Sequence, residues 1–132
     1  WLGQQGFVDR ERIGIWGWSY GGYMSSLCIT IGADVFKMAI AVAPVTNWRY
    51  YDTIYTERYM GLPQDNASGY DDNSPINHVE KPKGAYLLVH GMADDNKQFT
   101  QFTYPDKNHG IYGGNTRLHL YDMMTNFILE NL

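Results

Sequence analysis

The chain has 132 residues, enough for one domain of ordinary size. Hydrophobic residues make up 44% and charged residues 18%, a balance that excludes a disordered segment. A net charge of −4 without any Lys/Arg cluster argues against a nucleic-acid partner, and no apolar run is long enough to cross a bilayer. Cys28 is the single cysteine, so no disulfide can form within the chain. The opening run Trp1-Leu2-Gly3-Gln4-Gln5-Gly6 reads as the interior of a longer protein.

In chain order, residues 12–16 form a short apolar run before a glycine and are expected to be a buried strand. Residues 21–31 carry Tyr23, Met24, Leu27, Cys28 and Ile31 at helical spacing, which predicts a helix with those side chains on its buried face. Residues 38–43 read as a second buried strand, closed by Pro44. Residues 44–80 are polar and aromatic, broken by Pro63, Gly69 and Pro75, and are expected to form a long excursion with short helices. Residues 85–90 and 99–104 read as third and fourth strands. Asn115 or Thr116 can cap a last helix on which Leu120, Met124, Phe127 and Ile128 share a face. Buried strands alternating with helices predict an α/β fold, a mostly parallel sheet with helices on both faces.

Gly17-Trp18-Ser19-Tyr20-Gly21 falls where the first strand turns into the first helix. A G-x-S-x-G at such a junction is a nucleophile elbow. The serine has to sit on a sharp turn, and side chains at Gly17 and Gly21 are expected to collide with the flanking strand and helix. Ser19 is the candidate nucleophile. The backbone N–H of Tyr20 would point to where an oxyanion forms. The other reading is a glycine-rich turn with a spectator serine.

An elbow serine needs a base and an acid, which follow it in the order Ser, Asp or Glu, His on this fold. Asp94 and Asp95 come after the third strand, at the carboxyl end where sites collect in open α/β sheets. One of the pair can be a solvated turn acid, and Asp94 is taken as the orienting one. Among four histidines, His78 sits in a polar loop, His90 ends a strand and His119 lies on the last helix. His109, in the loop Asn108-His109-Gly110 after the fourth strand, fits the base by chain order. Trp48, Tyr51, Tyr55 and Tyr59 are spaced three, four and four apart, so one helix would align them. From the residues alone this stripe fits a core face as well as a wall for a bound ring.

Taken together these motifs resemble the catalytic domain of the prolyl oligopeptidase family, in its dipeptidyl peptidase IV branch. The resemblance rests on Gly17-Trp18-Ser19-Tyr20-Gly21-Gly22-Tyr23, Ala43-Pro44-Val45, Tyr50-Tyr51-Asp52 and Tyr55-Thr56-Glu57-Arg58-Tyr59-Met60-Gly61. His90-Gly91, Ala93-Asp94-Asp95-Asn96 and His109-Gly110 extend it over nearly the whole chain. It implies the C-terminal portion, residues 1–132, of an α/β-hydrolase peptidase domain, a partial α/β-hydrolase fold. It implies Ser19, Asp94 and His109 as a triad, Val45, Trp48, Tyr51 and Tyr55 around a proline ring, and Asn96 on a substrate carbonyl. The implied reaction releases N-terminal dipeptides ending in proline or alanine, without metal or cofactor. The implied parent is a homodimer in the periplasm or outside the cell. An esterase or lipase of the same fold, or a non-catalytic partial domain, is the competing reading.

The family's strands before the elbow, its β-propeller with acids for the substrate amine, and an upstream oxyanion tyrosine have no counterpart in this sequence. The stretch alone is therefore expected to be inactive. Consecutive parallel strands need a crossover of about a dozen residues or more, usually a helix. Asn96-Lys97-Gln98 is too short to make one, and the family has a helix here. A segment is therefore expected to be missing between Asn96 and Gln98, at Asn96–Lys97 in particular. The alternative, a hairpin, would turn the fourth strand antiparallel and carry His109 away from Ser19.

Overall fold

A computed structural model describes residues 1–90, 100–105 and 107–132. Asp94, Asn96 and the expected break at Asn96–Lys97 lie outside the described residues. Four strands form one sheet in the order β1-β2-β3-β4: Gly14–Trp18, Met38–Val42, Ala85–His90 and Thr100–Thr103. All three pairings are parallel, with Trp18 opposite Val42, Val42 opposite Val89 and His90 opposite Thr103. The fourth strand is therefore not the return arm of a hairpin. The helices are α1 (Tyr20–Thr30), α2 (Thr53–Met60), α3 (Ala67–Asp71) and α4 (Thr116–Asn131).

β1 starts two residues later than the sequence suggests and runs straight into Ser19. The cause is local: the Asp9 carboxylate accepts the Glu11 N–H at 3.0 Å and holds Arg10–Arg12 in a 3-10 turn. β2 is covered on both sides, with all five residues buried. On one face Met38, Ile40 and Val42 join Leu87, Val89 and the α4 residues Leu120, Met124 and Phe127 in the main core. Ile128 packs against that core as expected.

The other face of β2 presents Ala39 and Ala41 to α1, and this corrects the expected face of that helix. The buried residues of α1 are Gly22, Tyr23, Ser25, Ser26, Ile29 and Thr30, while Met24 and Ile31 are 41% and 57% exposed. Small side chains opposite alanines let the helix lie close to the sheet. The hydroxyls of Ser25, Ser26 and Thr30 donate to the carbonyls of Gly21, Gly22 and Ser26 at 2.8–2.9 Å, so burying them leaves no orphan donor. The Tyr86 hydroxyl of β3 lies 2.7 Å from that of Ser26, tying helix to sheet.

The excursion between β2 and β3 contains two short 3-10 turns besides α2 and α3, as its composition suggests. β1 and β4 are the two edges of the sheet among the described residues.

Candidate active site

Ser19 joins β1 to α1 with φ 58° and ψ −113°. A non-glycine residue held there costs roughly 1–3 kcal/mol and persists only where its surroundings fix it. Here the Ser19 N–H donates to the Val42 carbonyl at 2.9 Å, and the Ser19 carbonyl accepts the Tyr23 N–H at 2.9 Å. The turn is as tight as an elbow requires: a Cβ on Gly17 would lie 2.3 Å from the Gly21 carbonyl carbon. The matching expectation for Gly21 is corrected, because a Cβ there meets nothing within 4 Å. Gly22 is the constrained helical glycine, where a Cβ would come within 3.0 Å of Pro44 Cβ and the Val42 carbonyl oxygen. Tyr20 is the first residue of α1, so its N–H belongs to the first turn, where no intrahelical acceptor exists. Burial raises the thiol pKa of Cys28, which disfavours its nucleophilic thiolate form.

His109 lies in a compact turn after β4. The Ile111 N–H donates to the Asn108 carbonyl at 3.0 Å, and the Gly110 N–H to Asn108 Oδ1 at 3.1 Å. Ile111 has φ 43° yet is fully buried in the main core, so packing holds a backbone that a β-branched residue avoids. The decisive contact comes from the other end of the chain: Trp18 Nε1 donates to the His109 carbonyl oxygen at 2.9 Å. Trp18 immediately precedes Ser19, so the His109 loop is fastened to the elbow itself. The guanidinium of Arg117, at the start of α4, lies 6.0 Å above the Trp18 ring, and its Nη2 reaches the Gly110 carbonyl at 3.4 Å.

The other histidines are engaged elsewhere. His78 Nε2 lies 2.7 Å from the Asp72 carbonyl and His119 Nδ1 2.7 Å from the Tyr104 hydroxyl. His90 Nε2 meets the Gln101 amide at 2.5 Å.

The aromatic stripe forms a continuous cluster, but not along one helix. Trp48–Tyr50 is a 3-10 turn, and the Asp52 carboxylate accepts the Tyr55 N–H at 2.8 Å to start α2 afresh. Trp48 is 5% exposed and packs with Tyr23, Tyr70 and the partly buried Val45 as a second core. The half-exposed rings of Tyr51 and Tyr55 stand around it, with centroids 5.5 and 5.9 Å from Trp48. Tyr59 extends the row 5.3 Å beyond Tyr55. Tyr20, next to Ser19, contributes its ring at 5.5 Å from Trp48. The two readings of the stripe thus divide by residue: Trp48 belongs to a core, and Tyr20, Tyr51 and Tyr55 form an open aromatic rim beginning at the elbow. Arg49 steadies this wall, pairing both carboxylate oxygens of Asp71 at 2.7 and 2.8 Å and lying 5.4 Å over Tyr70.

A cavity of about 790 Å³ lies elsewhere, between α1, β3 and the Pro75–His78 turn, and includes none of these residues. Trp18, Arg117, Ile111 and the ring of Tyr20 escaped the sequence reading. The elbow motif marks Trp18 as a neighbour of Ser19, but a contact 91 residues away leaves no local signal.

A strained serine between a parallel strand and a small-faced helix, with a histidine loop tied beside it, defines an α/β-hydrolase domain. The profile of the Prolyl oligopeptidase family matches residues 1–102. The chain is 46% identical over 147 residues to dipeptidyl peptidase 4 of Felis catus, covering 96% of this chain and 19% of the relative. It is 45% identical to prolyl endopeptidase FAP of Mus musculus, with the same coverage. Its structure resembles the crystal structure of Porphyromonas gingivalis dipeptidyl peptidase 4, with a TM-score of 0.92 and 46% identity over 99% of this chain and 21% of that one. The chain belongs to the prolyl oligopeptidase family, and it spans about a fifth of the length of these relatives.

Proposed function

We propose that this chain is the C-terminal part of the peptidase domain of a serine dipeptidyl peptidase that removes N-terminal Xaa-Pro or Xaa-Ala dipeptides. The observation that carries the reading is the hydrogen bond from Trp18 to the His109 carbonyl beside a strained Ser19. Ser19 Oγ attacks the carbonyl after the second substrate residue, and His109 takes its proton and returns it to the leaving amine. The Tyr20 N–H supports the oxyanion. Water then frees the dipeptide from the acyl-enzyme. Asp94 is assigned as the acid that orients the imidazole, by chain order. Asn96 is assigned to a substrate carbonyl. Val45, Trp48, Tyr51 and Tyr55 are assigned to the proline pocket: the half-exposed rings of Tyr51 and Tyr55 supply apolar area at low entropic cost, and Val45 and Trp48 form the packed wall behind them. The relative named prolyl endopeptidase FAP supports a preference for proline, and the relative named dipeptidyl peptidase 4 supports release of dipeptides.

The same reading includes a missing segment near Asn96–Lys97, and two observations support it. Only nine residues separate His90 from Thr100 although β3 and β4 are parallel. In addition, 96% of this chain is about 127 residues, so some 20 of the 147 positions aligned with the Felis catus protein face no residue of this chain. The complete protein is placed in the periplasm or outside the cell, as a homodimer.

The test uses the complete protein that carries this stretch, assayed on a Xaa-Pro anilide and on an acyl ester. Ser19→Ala is expected to cut turnover of the anilide by several orders of magnitude while substrate affinity persists. Turnover confined to the ester would replace this reading with a plain esterase. Retained turnover in Ser19→Ala, or failure of a fluorophosphonate to label Ser19, would remove the catalytic assignment.

A further inference from the structure

We infer that Trp18 and Arg117 are positioning residues, which together clamp the backbone of the His109 loop and set the imidazole relative to Ser19. This rests on the proposed roles of Ser19 and His109. His109 is exposed, so few packing contacts hold its side chain, and its backbone carries much of its placement beside the orienting role proposed for Asp94. Three kinds of contact fix that backbone. Asn108 closes the turn from within, through its carbonyl and its side chain. The buried Ile111 side chain anchors the exit of the turn in the core. Trp18 and Arg117 act from outside on the consecutive carbonyls of His109 and Gly110.

The chemistry of each group suits that task. An indole N–H donates and cannot accept, and its ring is rigid, so it fixes one carbonyl in one direction. Trp18 also packs its ring against the main core, which fixes the donor. Arg117 places a planar cation over that ring and extends one N–H to the next carbonyl, adding a cation–π contact to a long hydrogen bond. Because Trp18 is bonded covalently to Ser19, one residue sets both the entry of the nucleophile into the elbow and the position of the base's loop. Misplacing a catalytic group by about 1 Å can cost about 10²-fold in rate.

The test has a spectroscopic arm and a kinetic arm, both on the complete protein that carries this stretch. Trp18→Phe keeps the aromatic body and deletes only the donor. It is expected to shift or broaden the His109 and Gly110 amide signals and the His109 ring signals in ¹⁵N NMR, while signals of β2 and α1 stay in place. Arg117→Met, at an exposed position that leaves the core intact, is expected to move the same signals by less. It gives the answer if the Trp18 variant does not fold. In the complete protein, Trp18→Phe is expected to lower kcat by about 10²-fold with KM unchanged, and to shift the acid limb of the pH–rate profile. Unchanged His109 and Gly110 signals in both variants would overturn the clamp, as would an unchanged kcat in Trp18→Phe. An inactive wild-type complete protein would instead overturn the proposed function, and the NMR arm would still decide whether the clamp exists.

Discussion

The two glycines flanking the elbow look equivalent in G-x-S-x-G, but the structure makes opposite demands on them. In Gly17→Ala the new Cβ would sit 2.3, 2.4 and 2.6 Å from the carbonyl carbon, oxygen and Cα of Gly21. Ordinary contact begins near 3.4 Å, so backbone would have to move by about 1 Å. That backbone is pinned on both sides of Ser19 by its bonds to Val42 and Tyr23, each 2.9 Å long. Overpacking against movable side chains costs about 1–3 kcal/mol, and here the obstacle is main chain, so a loss of at least about 3 kcal/mol is expected. In Gly21→Ala the Cβ points into open space within α1, where alanine gains up to about 1 kcal/mol in helix propensity. The two variants should therefore differ by about 4 kcal/mol in stability. Urea unfolding of each variant, followed by far-ultraviolet circular dichroism, measures this directly. A Gly17→Ala protein within about 0.5 kcal/mol of wild type, or a Gly21→Ala protein as damaged as Gly17→Ala, would refute the steric account of the elbow.

Burial beneath α1 pushes the Tyr86 phenol up to about 12 from its ordinary 10.0, outweighing the opposing effect of the Ser26 hydroxyl. The protonated form is favoured by folding, so this contribution is complete below pH 10 and is lost as pH rises toward 12. The loss is roughly 3 kcal/mol. Unfolding midpoints at pH 9 and pH 11.5 should diverge in wild type and much less in Tyr86→Phe; equal alkaline loss in both would place the titrating group elsewhere. Thr56 Oγ1 is buried with no hydrogen-bond partner among the described residues. Thr56→Val should therefore raise stability by about 1 kcal/mol in the same melts, and a decrease would show that the hydroxyl has a partner.

The parallel sheet was legible because its strands are short apolar runs separated by turn residues, and Met38–Val42 is apolar throughout because it is covered on both faces. The buried face of α1 was not legible. Counting apolar residues points to Met24 and Ile31, whereas burial follows what lies opposite, and Ala39 and Ala41 select glycine and serine. The aromatic spacing likewise suggested one helix, but the Asp52 side chain captures the Tyr55 N–H and restarts the helix after Tyr51. Ser19 was legible from its flanking glycines and its place between strand and helix. His109 was singled out by chain order, by its loop and by the family resemblance. The contact that fastens its loop to the elbow, an indole bonded to a carbonyl 91 residues away, depends on the end of β1 meeting the loop after β4.

β1 is an edge strand among the described residues, and this bears on how the chain behaves by itself. One side of the strand is paired with β2, and the other leaves a row of amide and carbonyl groups open to a further strand. The strand is short and carries no charged residue, and its Trp16 is 54% exposed. Trp1 and Phe7, just upstream, are each 82% exposed. Two usual safeguards against strand addition, a lysine and a proline, are missing from Gly14–Trp18. Self-association through this border would therefore begin at the strand that delivers Ser19, so clumping and distortion of the elbow are one event.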